Sequence, residues 1–185
     1  MSKQTSFSER GLRVPLAPLA LALAIAACAT APAAAGSTNS TFNVTATVAS
    51  DCKLSAGNLA LGNYVPGSGP VTATSTISVN CTRGTAFTVK LGAGQGSGAT
   101  VGNRTMVGSA SATDLLNYQL YQDSAHTIAW GDGTGGTSTE ALTGQGMGAA
   151  QTQALTVYGQ IADSATNQTA APDSYSDTIT VSVSY

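Results

Sequence analysis

The sequence predicts an all-β fold of the β-sandwich type, and three observations support this. Apolar and polar residues alternate in a series of segments after residue 41, as they do in strands with one buried face. Stretches rich in glycine, proline and aspartate separate these segments, and no window of a dozen residues after residue 36 has a helical stripe. Threonine and valine are abundant and only 9% of residues are charged, which favours pleated sheet. Short strands separated by turns indicate a sandwich.

The elements follow one another in a simple order. The alternating segments are 42–48, 59–61, 71–81, 87–91, 116–120, 155–161 and 179–185. The turn segments between them are 66–70, 92–103, 130–137, 144–149 and 172–173. The segments show no repeat of fixed period, which argues against a propeller or a β-helix.

The first 35 residues have the pattern of a secretory signal peptide. Lys3, Arg10 and Arg13 form a positive n-region, and an apolar run from Leu16 to Ala27 follows. That run is too short for a stable membrane span. Small residues at 33–35 supply a cleavage site, with Gly36 as the expected new N-terminus. We therefore expect export through the periplasm and no membrane span in the mature form.

A second interpretation of this region remains open. Ile25-Ala26-Ala27-Cys28 is similar to the lipobox of bacterial lipoproteins, in which the cysteine is lipidated and becomes the mature N-terminus. In that case Cys28 would anchor the protein to the outer membrane.

The rest of the chain is expected to be an N-terminal extension, residues 36–50, and one domain, residues 51–185. This domain is long enough to have a core of its own. Its two cysteines, Cys52 and Cys81, form an even pair, which indicates one disulfide in an oxidising compartment. Two buried free thiols are the alternative.

Composition excludes several classes of function. The chain has 7 Lys and Arg against 9 Asp and Glu, without a basic patch for nucleic acid or a basic amphipathic helix for membranes. Low charge also suits a protein that associates with its own copies, because repulsion between copies is weak.

Catalytic, cofactor and metal sites are not predicted. Three segments fit the spacing G-x-G-x-x-G/A, at 94–99, 131–136 and 144–149, but none is followed by a helical pattern, which a dinucleotide-binding loop requires. Asp132 and Glu140 do not have EF-hand spacing. His126 is the only histidine. A Ser-His-Asp triad is not predicted, because the sequence has no Gly-x-Ser-x-Gly nucleophile elbow, and His126 is expected to be exposed and inert. We therefore expect a protein that is not an enzyme and needs no cofactor.

The sequence resembles a known family over residues 41–185. The segments TFNVTATVASDC, LALGNY and TSTISVNCTRGTAFTVKLGAG resemble the first half of the spore coat protein U domain. LNYQLYQDSAHTIAWGDGTGGT, QALTVYGQI and the terminal SYSDTITVSVSY resemble its second half. At Ser124-Ala125-His126 the family more often has Ala-Ala-Arg, which changes one surface charge.

The family is similar to subunits of archaic chaperone–usher pili of the Csu type. The resemblance implies an incomplete immunoglobulin-like β-sandwich of the pilin type, completed by donor-strand exchange. A periplasmic chaperone would hold the subunit and an outer-membrane usher would export it. The implied disulfide joins Cys52 and Cys81. The implied donor-strand residues are Phe42, Val44, Ala46 and Val48. The C-terminal strand would border the acceptor groove with Ile179, Val181, Val183 and Tyr185.

The expected function is that of a structural subunit of a surface pilus, or fimbria, built from copies of itself or related pilins and supporting adhesion and biofilm formation. One alternative is a secreted spore-coat or surface-matrix protein without an ordered fibre; neighbouring genes for a chaperone and an usher would distinguish the two. The other alternative is a secreted enzyme or small-molecule binder, which would need a convergent polar pocket.

Overall fold

A computed structural model describes residues 34–185. The chain divides into two units, residues 1–44 and 45–185. In the first unit, residues 34–44 are exposed and form neither helix nor strand. The predicted signal up to residue 33, with Cys28, lies outside the described residues.

The second unit is an all-β sandwich of two antiparallel sheets, which confirms the predicted fold class. Its strands are β1 (Cys52–Ala56), β2 (Val71–Cys81), β3 (Ala86–Leu91), β4 (Arg104–Gly108), β5 (Leu115–Tyr121), β6 (Glu140–Thr143), β7 (Gln153–Ile161), β8 (Tyr175–Ser176) and β9 (Val181–Ser184). Two short 3-10 helices, Ala149–Gln151 and Asn167–Thr169, lie between strands.

Six strands form the larger sheet, in the order β1-β2-β7-β5-β4-β8. Its centre is the pair of β2 and β7, which stay in register from Val71 opposite Ile161 to Val79 opposite Gln153. The longest alternating segment of the sequence forms β2, and its apolar residues from Ile77 onward face the core. Alternation thus places one face of each long strand in the interior.

The smaller sheet has three strands in the order β6-β3-β9. β3 is the middle strand, with Phe87, Val89 and Leu91 buried. β9 pairs with β3 on one side, from Leu91 opposite Val181 to Thr88 opposite Ser184. No other described strand pairs with β9, so its second edge leaves backbone donors and acceptors unpaired.

The core lies between the two sheets. Its buried apolar residues are Ile77, Val79, Cys81, Phe87, Val89, Leu91, Leu116, Tyr118, Leu120, Trp130, Val157 and Ile161. Trp130 comes from the segment after β5, and its indole N–H donates to the carbonyl of Val89 at 3.3 Å.

A disulfide joins Cys52, at the start of β1, to Cys81, at the end of β2. The two cysteines are directly opposite in the antiparallel register. β1 is an edge strand with mostly exposed side chains, so little apolar burial holds it. The disulfide therefore fixes the end of a strand that packing alone would hold weakly.

The strands differ from the predicted segments in several places. Residues 42–48 and 59–61 alternate, yet neither segment is a strand. β1, β4, β6 and β8 form without an alternating pattern that predicted them. The last strand begins at Val181 rather than at Ile179, because the chain crosses from the larger to the smaller sheet just before it.

Candidate functional site

A long groove opens along one side of the sandwich, where β9 has its unpaired edge. It encloses about 1020 Å³ of space. Two stretches of chain border it: residues 56–66, called the first rim, and residues 170–181, called the second rim. Its floor consists of core residues from both sheets, among them Leu91 from the smaller sheet and Leu120 from the larger. The groove is therefore a gap that reaches the hydrophobic core.

The floor is the least covered part of that core. The four core residues with the largest exposed fractions are Leu116 (5%), Tyr118 (7%), Leu120 (5%) and Val157 (6%), and all four line the groove. Val79 and Val89, which do not line it, are fully covered at 0%. The core is therefore covered somewhat less completely over the groove than elsewhere, although Ile77, Leu91 and Ile161, which also line it, are only 1–2% exposed.

The first rim lies over β7 without pairing to it. Among the described residues, no backbone hydrogen bond joins residues 58–64 to another segment; the Gly57 N–H bonds the Thr76 carbonyl at 2.9 Å just before them. Leu59 and Leu61 point inward and are half-buried. A Cβ at Gly159 of β7 would lie 2.9 Å from Leu59, so glycine there lets the rim approach the sheet closely.

Asp163 anchors the far end of the first rim. Its carboxylate accepts hydrogen bonds from the Tyr64 hydroxyl at 2.6 Å, the Gly67 N–H at 3.0 Å and the Gly69 N–H at 3.0 Å. These bonds, that of Tyr64 foremost, hold the pKa of Asp163 below its usual range. Partial burial and the carboxylate raise the pKa of Tyr64 to about 12. Tyr64 therefore stays a protonated donor at neutral pH.

Asp177 anchors the second rim where the chain leaves β8 for β9. Its carboxylate accepts from the Tyr118 hydroxyl at 2.6 Å and from the Gln95 N–H at 2.7 Å. Burial, followed by the bond to Asp177, raises the pKa of Tyr118. Gly94 has a φ of +91°, and a Cβ there would overlap the Asp177 carboxylate. Glycine is therefore required at this contact.

The predicted groove-edge residues lie in different places. Ile179 and Val181 are half-buried and line the groove. Val183 is half-buried and packs against the core, outside the groove lining. Tyr185 is 60% exposed and lies outside it as well.

The predicted donor residues are exposed. The exposed fractions of Phe42 and Val44 in the first unit are 86% and 83%, and that of Val48 in the second is 83%; Ala46 is also exposed. Exposed large apolar side chains at alternate positions are unusual, because one face of such a segment normally packs in a core.

Hydrogen bonds attach residues 49–51 to the sandwich. The Thr82 hydroxyl donates to the Ala49 carbonyl at 3.4 Å, and the Thr82 N–H donates to the Asp51 carbonyl at 2.9 Å. The Thr85 hydroxyl bonds that of Ser50 at 3.3 Å. The segment before Ala49 therefore starts from a fixed point on the domain.

His126 and Asp132, considered above for catalysis and calcium binding, have packing and turn-forming roles in the structure. His126 is half-buried against Tyr121 and Tyr158, with ring centroids 5.2 and 6.3 Å away. The expectation of an exposed His126 is wrong, because the turn capped by Asp123 folds the ring onto the sheet. The Asp132 carboxylate accepts from the N–H and hydroxyl of Thr134, as in a turn.

Residues 34–185 hold neither a candidate metal cluster nor a candidate membrane span. They contain no group of three or more His, Cys, Asp or Glu side chains placed to hold a metal ion. In the same residues, no helix has the length and apolar character needed to span a bilayer.

Sequence patterns did not reveal the two tyrosine–aspartate pairs. Tyr64 and Asp163 are 99 positions apart, and Tyr118 and Asp177 are 59 apart. Only the fold brings them together. The nearest signal in the sequence is an aspartate placed just after a strand-like segment, which is too common to be informative.

Comparisons with known proteins agree with this architecture. The family model of the spore coat protein U domain matches residues 38–182. Comparison with curated proteins finds no significant match. A similar solved structure is the pre-assembly complex of the CsuC chaperone with the CsuE tip adhesion subunit, from archaic chaperone–usher Csu pili of Acinetobacter baumannii.

The similarity to that structure is one of fold. The TM-score is 0.51 and the sequence identity is 23%. The match covers 75% of this chain and 41% of that chain, so this chain spans less than half the length of its structural relative. The family model, by contrast, covers most of the sequence. The chain therefore belongs to the spore coat protein U domain family.

Proposed function

We propose that this protein is a structural, non-catalytic subunit of a chaperone–usher pilus and that it polymerises by donor-strand exchange. In this proposal, the N-terminal segment of one subunit, residues 36–50, fills the groove of the next. The observation that supports it best is the groove itself, which exposes the least covered core residues beside the unpaired edge of β9.

The N-terminal segment has the shape and chemistry that the groove requires. The edge of β9, Val181–Ser184, is four residues long, and the seven residues 42–48 are enough to span it when extended. The backbone of this segment can pair with the free edge of β9 while alternate side chains enter the groove, which is the usual form of strand addition.

Burial of the donor side chains supplies the driving force. Phe42, Val44 and Val48 are at least 83% exposed, and burying three such side chains contributes roughly 5–8 kcal/mol. Ala46 adds less because it is small. The cost of ordering the segment opposes this gain, and the fixed attachment at residues 49–51 reduces that cost because only the residues before them need to be ordered.

The contact is head-to-tail. Each subunit offers a donor segment and an acceptor groove formed by different parts of the chain, so the interface is heterologous and successive additions produce a filament. Such a fibre at the cell surface would support adhesion and biofilm formation.

The partners follow from the open groove. A subunit with an uncovered core would aggregate before assembly, so a periplasmic chaperone that occupies the groove is needed, with an outer-membrane usher for export. The structural relative was itself solved with a chaperone. We also propose residues 1–35 as the signal peptide, with lipidation of Cys28 as the alternative.

The experiment that tests the function is an unheated SDS gel of the exported protein. It is run beside a boiled sample and beside a variant that lacks residues 37–49. We expect a ladder of multimers that collapses on boiling and is absent from the truncated variant. A monomer band in every lane, with the chaperone and usher present, would contradict the proposal and favour a coat or matrix protein without an ordered fibre.

A further inference from the structure

The parts of both rims that lie outside the strands have few backbone hydrogen bonds to the sheets. In the first rim, residues 58–64 have none among the described residues. In the second rim, the stretch between β8 and β9 has a single one, from the Gly92 N–H to the Thr180 carbonyl at 2.9 Å. Side chains must therefore contribute much of what keeps these two stretches in place.

The same arrangement occurs once on each rim. On the first, the hydroxyl of Tyr64, a rim residue, bonds the carboxylate of Asp163 after β7. On the second, the hydroxyl of Tyr118, a floor residue, bonds the carboxylate of Asp177 in the rim. Each aspartate also accepts backbone N–H groups from a glycine-rich turn, at Gly67 and Gly69 or at Gln95. Bonds to an ionised acceptor are the stronger kind.

Without these bonds, residues 58–64 and 177–180 would be held mainly by the packing of their apolar side chains and by the strands at their ends. Leu59 and Leu61 on the first rim and Ile179 and Val181 on the second are half-buried apolar residues that line the groove. Closing the groove would bury them further, so the hydrophobic effect favours closure in an empty subunit. A closed groove cannot accept a strand.

We propose that Asp163 and Asp177 are positioning residues for strand entry, which hold the two rims apart so that an incoming strand finds the groove already open. This inference rests on the proposed function. If only a fraction of subunits has an open groove, the apparent affinity for the strand falls by that fraction. The loss appears in the association rate, because the rims are held apart by the strand itself once it is bound.

The test uses the full exported chain with Phe42→Asp and Val44→Asp, so that subunits do not fill each other's grooves. A labelled synthetic peptide of residues 37–49 serves as the incoming strand, and stopped-flow fluorescence gives its association and dissociation rates. Tyr64→Phe and Tyr118→Phe each remove one hydroxyl bond to an aspartate. Tyr175→Phe is the matched control, because its hydroxyl bonds the Ala171 carbonyl at 2.7 Å and it also lines the groove.

We expect Tyr64→Phe and Tyr118→Phe each to slow association about five- to tenfold, because the loss of one hydrogen bond lowers the fraction of open grooves by about that factor. The dissociation rate should not change. Tyr175→Phe should stay within about twofold of its parent, since it leaves both aspartates bonded. Urea titrations show whether each variant is folded under the assay conditions. Because Tyr64 is at the more exposed site, its variant remains informative if Tyr118→Phe fails to fold.

The outcomes separate the two proposals. If the parent takes up the peptide and both tyrosine variants associate as fast as Tyr175→Phe, the positioning role is wrong and the proposed function stands. Equal slowing of all three variants would also overturn it, because loss of any hydroxyl would then have the same effect. If the parent takes up no peptide, the proposed function fails and this inference fails with it.

Discussion

The guanidinium of Arg104 donates a 2.8 Å hydrogen bond to the carbonyl of Trp130 in the interior of the sandwich. It also donates to the Gly92 carbonyl at 2.9 Å and to the side chain of Gln119. Arg104 is 0% exposed, and burial lowers its pKa. The charge is stabilised by the dipoles of carbonyl groups from both sheets, and Arg104 forms no salt bridge within the described residues.

We expect Arg104→Ala to lower the free energy of unfolding by about 3 kcal/mol, because it leaves buried carbonyls without donors. Arg83→Ala is the control; Arg83 is exposed, so its loss should cost less than about 0.5 kcal/mol. Urea denaturation measures both. Equal stability of the two variants would show that the carbonyls find other donors.

Cys52→Ser should lower the free energy of unfolding by about 3.5 kcal/mol. The lost disulfide closes a loop with a sequence separation of 29, and a loop of that size has this effect in the chain-entropy model. Thermal unfolding of the variant and of the reduced wild type should agree. A wild type whose melting temperature does not change on reduction would contradict the prediction.

The double substitution Phe42→Asp, Val44→Asp should abolish polymerisation and leave the domain folded. A charge that enters an apolar groove without a partner is costly. Asn43→Asp, Thr45→Asp is the matched control, because it adds the same charge on the opposite face of an extended segment. The unheated gel should show a ladder for the control alone; a ladder from both would remove the donor assignment.

Asp163 should make stability depend on pH in the acid range. Its pKa is lowered in the folded protein, so its contribution is complete above the unfolded-state value of about 4 and declines as pH falls below that value. The difference in unfolding free energy between wild type and Asp163→Asn should therefore shrink below about pH 4. Urea titrations between neutral pH and pH 2.5 measure it. A constant difference would mean that the Asp163 charge is not involved.

Much of the fold could be predicted because its long strands have one buried face. The alternating segment 71–81 coincides with β2, and 87–91 and 116–120 fall within one or two residues of β3 and β5. Alternation reports burial on one side of a strand, and these strands lie against the core along most of their length.

The missed elements are those whose burial depends on distant partners. β4 begins at Arg104, a residue type that local rules place on the surface, and acceptors distant in the sequence, among them the carbonyls of Gly92 and Trp130, make its burial possible. β1 has mostly exposed side chains and is held by its disulfide.

Leu59 and Leu61 show the limit of the same pattern. They alternate like strand residues and do point inward, yet the backbone between them has no strand partner in the described part of the chain. A pattern of side chains cannot tell whether backbone groups are paired. The groove lies where backbone groups of neighbouring segments are not paired, so it could be expected only through the resemblance to a family.

The disulfide has a mechanical consequence for a subunit under tension. A pull on the N-terminal segment that reaches Cys52 passes through the covalent bond to Cys81 at the end of β2, so that β1 and the chain that joins it to β2 are bypassed. β1 cannot be unzipped from its end. The load then acts on the end of β2, which is paired with β7; these are the two longest strands, and β2 is in register with β7 from Val71 to Val79. The attachment point therefore resists force through its covalent bond and its longest strand pair rather than through its weakest edge.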